Sequence, residues 1–94
     1  MNTVELVRFR VAQGRTDALL EARSAMLENF RADREGFLGA RLVRLSGNEW
    51  LDIVDWRSPE DCAASRAKGA NLPGIAAYFA AIDEVNSSEE GHET

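Results

Sequence analysis

The sequence predicts an α+β domain of the ferredoxin-like kind, βαββα(β), with an antiparallel sheet carrying its helices on one face. Two observations predict it. Period-2 and period-3.6 apolar patterns succeed one another as strand, helix, strand, strand, helix. The central hairpin is also apolar on both faces, which a sheet of this kind shows only when something covers each side.

The first strand is read over residues 3–12, rich in β-branched and aromatic residues, with Val7, Phe9 and Val11 on one face. Gln13-Gly14-Arg15 breaks it. Thr16 is placed as the N-cap of a helix reaching about Arg34, with Asp17 in the first turn, where the dipole favours an anion. Leu19, Ala22, Met26 and Phe30 form its apolar stripe, and Gly36 closes it. Strands follow over 37–45 and 49–56 around Ser46-Gly47-Asn48. If Gly47-Asn48 is a two-residue turn, Leu45 faces Trp50, Val43 faces Asp52, Arg41 faces Val54 and Gly39 faces Trp56. A one-residue slip would exchange the two faces. Ser58 as cap, Pro59 at the first helical position and Glu60 and Asp61 in the first turn start an alanine-rich helix that ends near Lys68-Gly69. After Asn71-Leu72-Pro73-Gly74 a further helix carries Ile75, Tyr78, Phe79 and Ile82 on one stripe. Residues 1–85 are read as one domain, and 86–94 as a polar tail or a short edge strand.

Composition excludes several classes. The chain has 94 residues and a net charge of −5; Glu89, Glu90 and Glu93 carry three of those charges, which leaves the rest near neutral. Scattered arginines on a near-neutral domain do not suit nucleic acid. No apolar run is long enough to span a membrane, and the N-terminus lacks a secretory pattern, so the expected location is the cytoplasm. Cys62 is the only cysteine and His92 the only histidine, which exclude an internal disulfide and argue against a metal site. Cys62 is read as a small buried hydrophobe and Trp50 as packing.

The expected partner is a second copy of the chain. Under the two-residue turn, Leu38, Ala40, Leu42, Leu51 and Ile53 share one face, and Phe37, Val43, Leu45, Trp50, Val54 and Trp56 the other. Helices cover one face only. Five bare aliphatic side chains are a large exposed patch for a soluble monomer. A homodimer packed sheet to sheet removes it, each burial contributing about 1–3 kcal/mol.

Gly36-Phe37-Leu38-Gly39-Ala40-Arg41-Leu42, followed by Glu49 to Glu60 with Trp56 closing the strand and Ser58-Pro59 capping the next helix, resembles the antibiotic biosynthesis monooxygenase superfamily. The resemblance spans residues 3–84 and implies a dimeric α/β-barrel. It also implies a small phenolic, quinol or polyketide-like aromatic substrate, oxidised by O₂ with no cofactor. Such chemistry needs a dry aromatic-lined pocket and a group that handles the phenol oxygen. The best-understood members place an asparagine and a tryptophan four residues apart on the third strand; here those positions are Asp52 and Trp56. A carboxylate cannot donate to an oxyanion, so Asp52 is either the base for the phenol proton or an ion-pair partner of Arg41 on the neighbouring strand. Trp56, Asp52 and Tyr78 are the catalytic candidates, with Gly39, Arg41, Phe30, Phe79 and Met26 around the substrate. Gly39 opposite Trp56 would leave space for a flat ligand. The haem-degrading branch ligates iron through a histidine on the late helix, and no histidine precedes His92. A non-catalytic dimer that binds a small hydrophobic ligand is the alternative function, because fold alone does not set activity.

Overall fold

The computed structural model describes residues 2–94. The order is β1 (Thr3–Arg10), a 3-10 turn (Gln13–Arg15), α1 (Thr16–Asp33), β2 (Phe37–Arg44), β3 (Glu49–Trp56), α2 (Pro59–Lys68), α3 (Pro73–Ala80) and β4 (Glu84–His92). The four strands form one antiparallel sheet ordered β2-β3-β1-β4, the ferredoxin-like topology. The helices pack on one face over a core built from Phe9, Val11, Leu19, Met26, Phe30, Trp50, Val54, Trp56, Ile75 and Tyr78.

The start of α2 forms as its sequence dictates. The Ser58 hydroxyl accepts the Asp61 backbone N–H at 3.1 Å, with Pro59 in the first turn. The start of α1 does not. The 3-10 turn feeds directly into the helix, so Thr16 is its first residue and no side chain caps it. Of the two readings for residues 86–94, the strand is the one formed. It is nine residues long, begins at Glu84, and so straddles the expected boundary at 85. Its side chains are almost all exposed, so its order comes from backbone pairing with β1 rather than from burial.

Hairpin register differs from the expectation by one residue. The Leu45 N–H donates to the Glu49 carbonyl at 2.8 Å, so the loop is the three residues Ser46-Gly47-Asn48, with Gly47 at φ +66°. Arg44 now faces Trp50, Leu42 faces Asp52 and Ala40 faces Val54. A bulge at Leu38 then shifts the ladder again, so that Phe37 pairs with Trp56 and Gly39 with Asp55. Ala40 and Leu42 therefore pack against the core. The outer face presents Leu51 and Ile53 beside Val43, which is 40% exposed, with Leu38 at 54% at the bulge.

Helices α1 and α3 approach closely at Gly74, whose N–H donates to Asn29 Oδ1 at 2.8 Å. An added Cβ there would lie 2.6 Å from the Ala25 carbonyl oxygen. Gly74→Ala should therefore lose about 1–3 kcal/mol by forcing two backbones apart. Chemical denaturation checks it; an unchanged midpoint would show that the helices separate freely.

Candidate active site

Alternation sends Thr3, Glu5, Val7 and Phe9 of β1 to the face shared with Trp56, Val54, Asp52 and Trp50 of β3. Two of these, Glu5 and Asp52, are carboxylates among apolar neighbours, their side chains only 13% and 9% exposed. Burying a charge is costly without a partner, and each has found an arginine.

Asp52 is gripped from α1. Arg23 donates from Nη1 to Oδ2 at 3.0 Å and from Nη2 to Oδ1 at 3.1 Å, a two-pronged pair. Tyr78 of α3 completes the set, its hydroxyl donating to Asp52 Oδ2 at 2.8 Å and accepting from Arg23 Nη1 at 2.8 Å. Burial, reinforced by the Asp52 charge, pushes the Tyr78 phenol well above its ordinary range. It therefore remains a protonated donor at neutral pH. Burial opposes the Arg23 charge, but the hydrogen bond and attraction of Asp52 outweigh it and leave the arginine's pKa raised.

Glu5 lies across the sheet from Val54, diagonal to both Asp52 and Trp56. Its Oε1 accepts the Trp56 indole N–H at 3.1 Å and its Oε2 accepts Arg66 Nε at 3.1 Å. Nearby, the buried Arg34 guanidinium donates to Ser65, Asp33, Asn71 and the Gly69 carbonyl. It joins the end of α1 to α2 and the connection beyond it.

Both carboxylates line a cavity of about 480 Å³. Its apolar wall includes Val7, Phe9, Met26, Phe30, Val54, Phe79 and Ile82, and Tyr78 also reaches it. The volume is in the usual range for a small-molecule site.

Of the sequence-predicted site residues, Asp52, Tyr78, Met26, Phe30 and Phe79 meet at this cavity. Arg41 does not. The slipped register pairs it with Ile53 on the outer face, so the Asp52–Arg41 ion pair is replaced by Asp52–Arg23. Gly39 pairs with Asp55, and the space expected beside the indole is taken by Phe37, whose ring meets Trp56 at 5.6 Å between centroids. Trp56, 1% exposed, stands outside the cavity wall between Phe30 and Phe37 with its N–H committed to Glu5. Arg23 and Glu5 carry sequence signals of their own. Arg23 sits four after Leu19 and three before Met26, on the buried stripe, and Glu5 shares the parity of Val7 and Phe9.

Cys62 is fully buried, and burial, with the Glu5 charge adding, pushes its thiol up to about 12. At pH 8 the folded protein should resist a thiol reagent and react fully only once unfolded. Rapid labelling of the native protein at pH 8 would contradict this.

Among the described residues no group of three or more His, Cys, Asp or Glu side chains is placed to hold a metal ion. No helix among them is long and apolar enough to cross a membrane.

Fold and cavity together define a small ferredoxin-like α+β protein with a ligand-sized hollow between sheet and helices. Residues 3–83 match the family model for antibiotic biosynthesis monooxygenases, and the chain belongs to that family. A Bordetella bronchiseptica protein assigned to the same family superposes with a TM-score of 0.82 at 14% identity, covering 99% of this chain and 97% of that one. A Chloroflexus aurantiacus protein of the same description gives 0.68 at 20% identity, covering 100% and 94%. SnoaB from Streptomyces nogalater, a cofactor-independent oxygenase, gives 0.67 at 22% identity, covering 96% and 88%. At these identities the likeness is one of fold. No functionally curated protein matches the sequence.

Proposed function

We propose that the protein is a cofactor-independent monooxygenase acting on a small phenolic, quinol or polyketide-like aromatic metabolite. The observation that carries this reading is the buried Asp52–Tyr78 pair, held by Arg23 from behind, on the wall of a largely apolar cavity of about 480 Å³. Asp52 Oδ1 accepts one hydrogen bond and retains a free lone pair for a substrate hydroxyl. It takes the phenol proton, while Arg23 and Tyr78 hold the carboxylate in place. The resulting carbanion passes an electron to O₂, and the radical pair combines at a ring carbon. The peroxide anion takes the proton back from Asp52, and the resulting hydroperoxide loses water. One oxygen atom remains as the new carbonyl, and the other leaves as water with the returned hydroxyl proton and the hydrogen of the oxidised ring carbon.

The test is oxygen uptake with a panel of naphthols, anthrones and quinols. Uptake well above buffer by at least one is expected, with one oxygen atom from O₂ in the product. No uptake across the panel would defeat the reading.

A second reading, a non-catalytic dimeric domain that binds a small hydrophobic ligand, is favoured by one observation. Trp56, the family's matching tryptophan, spends its N–H on Glu5 and does not reach the cavity. Ligand-induced change in tryptophan fluorescence without oxygen uptake would support it.

Either reading includes a homodimer through the outer sheet face. Val43 and Leu38 there are 40% and 54% exposed, and Leu51 and Ile53 are half-buried. Sedimentation should give twice the 10.4 kDa of one chain, and Ile53→Glu should return it to one copy. A native protein that sediments as a single chain would remove the dimer.

A further inference from the structure

Four carboxylates line the cavity, Glu5, Asp52, Asp83 and Glu84. Glu5 and Asp52 are the most buried of them, and the proposed chemistry uses only Asp52. Glu5 and Asp52 are diagonal neighbours on the inner face of β1 and β3, which puts their Cβ atoms about 7 Å apart. Both line the same cavity, with Val7 and Val54 between them. Each is ionically compensated by its own arginine, Asp52 by Arg23 and Glu5 by Arg66. Each also keeps unused acceptor capacity: Oε1 and Oε2 of Glu5 accept one hydrogen bond apiece, and an ionised carboxylate oxygen can accept two.

A ligand with a single hydroxyl satisfies Asp52 and leaves Glu5 facing apolar ring surface. A ligand with a second hydroxyl at its far end satisfies both. We propose that Glu5 is a specificity-determining residue: it selects uncharged fused aromatics carrying two hydroxyls at opposite ends of the ring system, one on Asp52 and one on Glu5. The inference rests on the reading of this cavity as the substrate site. The lining holds four carboxylates, Glu5, Asp52, Asp83 and Glu84, against two arginines, Arg34 and Arg66, which disfavours ligands that enter as carboxylates. Trp56 acquires a role here without touching substrate. Its N–H and Arg66 Nε hold the Glu5 carboxylate between them, so it is a positioning residue.

Calorimetric titration in the absence of oxygen tests this with three probes: 2-naphthol, 2,3-dihydroxynaphthalene and 2,6-dihydroxynaphthalene. All are uncharged phenols at pH 7. The 2,6-diol alone has hydroxyls at opposite ends. It is expected to bind about tenfold more tightly than the other two, the contribution of one further hydrogen bond to a charged acceptor. Glu5→Gln should bring the 2,6-diol to within about twofold of 2-naphthol. A 2,6-diol that binds wild-type protein no tighter than 2-naphthol overturns the proposal, whether or not the variant folds. So does a preference that persists in folded Glu5→Gln, and so does failure of all three probes to bind. Because binding is read without oxygen, the outcomes separate. A tenfold preference with no oxygen uptake keeps Glu5 as selector and removes the oxygenase reading, while uptake without the preference removes only the role of Glu5.

Discussion

Arg23→Ala should destabilise the protein by about 3–5 kcal/mol, because it leaves a buried carboxylate unpaired. The side chains of Arg23 and Asp52 are 13% and 9% exposed, so water replaces little of the lost partner. Removing the guanidinium takes away both prongs on Asp52 and the donor to the Tyr78 hydroxyl. For a domain of this size the melting temperature should fall by about 4–8 °C per kcal/mol. The double variant Arg23→Met with Asp52→Leu should recover most of the loss, since a pair of apolar residues of similar volume is often as stable as a buried ion pair. Thermal unfolding of the three proteins checks this. A loss under about 1 kcal/mol for Arg23→Ala, the range of exposed pairs, would mean that the cluster is hydrated.

Asp52→Asn has the largest expected effect on turnover. The amide matches the carboxylate in shape and still accepts from Arg23 through its oxygen, so the cavity persists. It cannot take a proton at neutral pH. If Asp52 is the base, kcat for oxygen uptake should fall about 100- to 10,000-fold with little change in KM. Tyr78→Phe removes only one hydrogen bond to Asp52 and should cost far less. A full rate in folded Asp52→Asn would reduce the cluster to a structural strut and favour the binding-domain reading.

The elements were legible because each is dictated locally. Alternation in β1 and β3, Ser58-Pro59 at α2 and Pro73 at α3 fix strand and helix without reference to the rest of the chain. Register was not, because Gly47-Asn48 serves a two-residue or a three-residue loop equally well, and the choice moves every side chain of β2. That one residue also separates Arg41 from Asp52 and seats Phe37 where a void beside Trp56 was expected. Arg23 and Glu5 do not stand out in the sequence, because charged residues are solvent-facing in most proteins. Their positions on buried stripes were visible, but only long-range packing shows that each has a buried partner of opposite charge. β4 was undecided because its stability comes from pairing with β1, which leaves little trace in side-chain type.

The extra residue at Leu38 divides β2 into two frames of opposite parity. Before it an odd-numbered side chain, Phe37, turns toward the helices; after it the even-numbered Ala40 and Leu42 do. Loss or gain of a single residue there would rotate the strand's beginning against its end, placing Phe37 in solvent or Ala40 and Leu42 outside the core. The glycine-rich opening of this strand is thus a phase adjuster, and it lets one short segment serve two surfaces that a strictly alternating sequence could not.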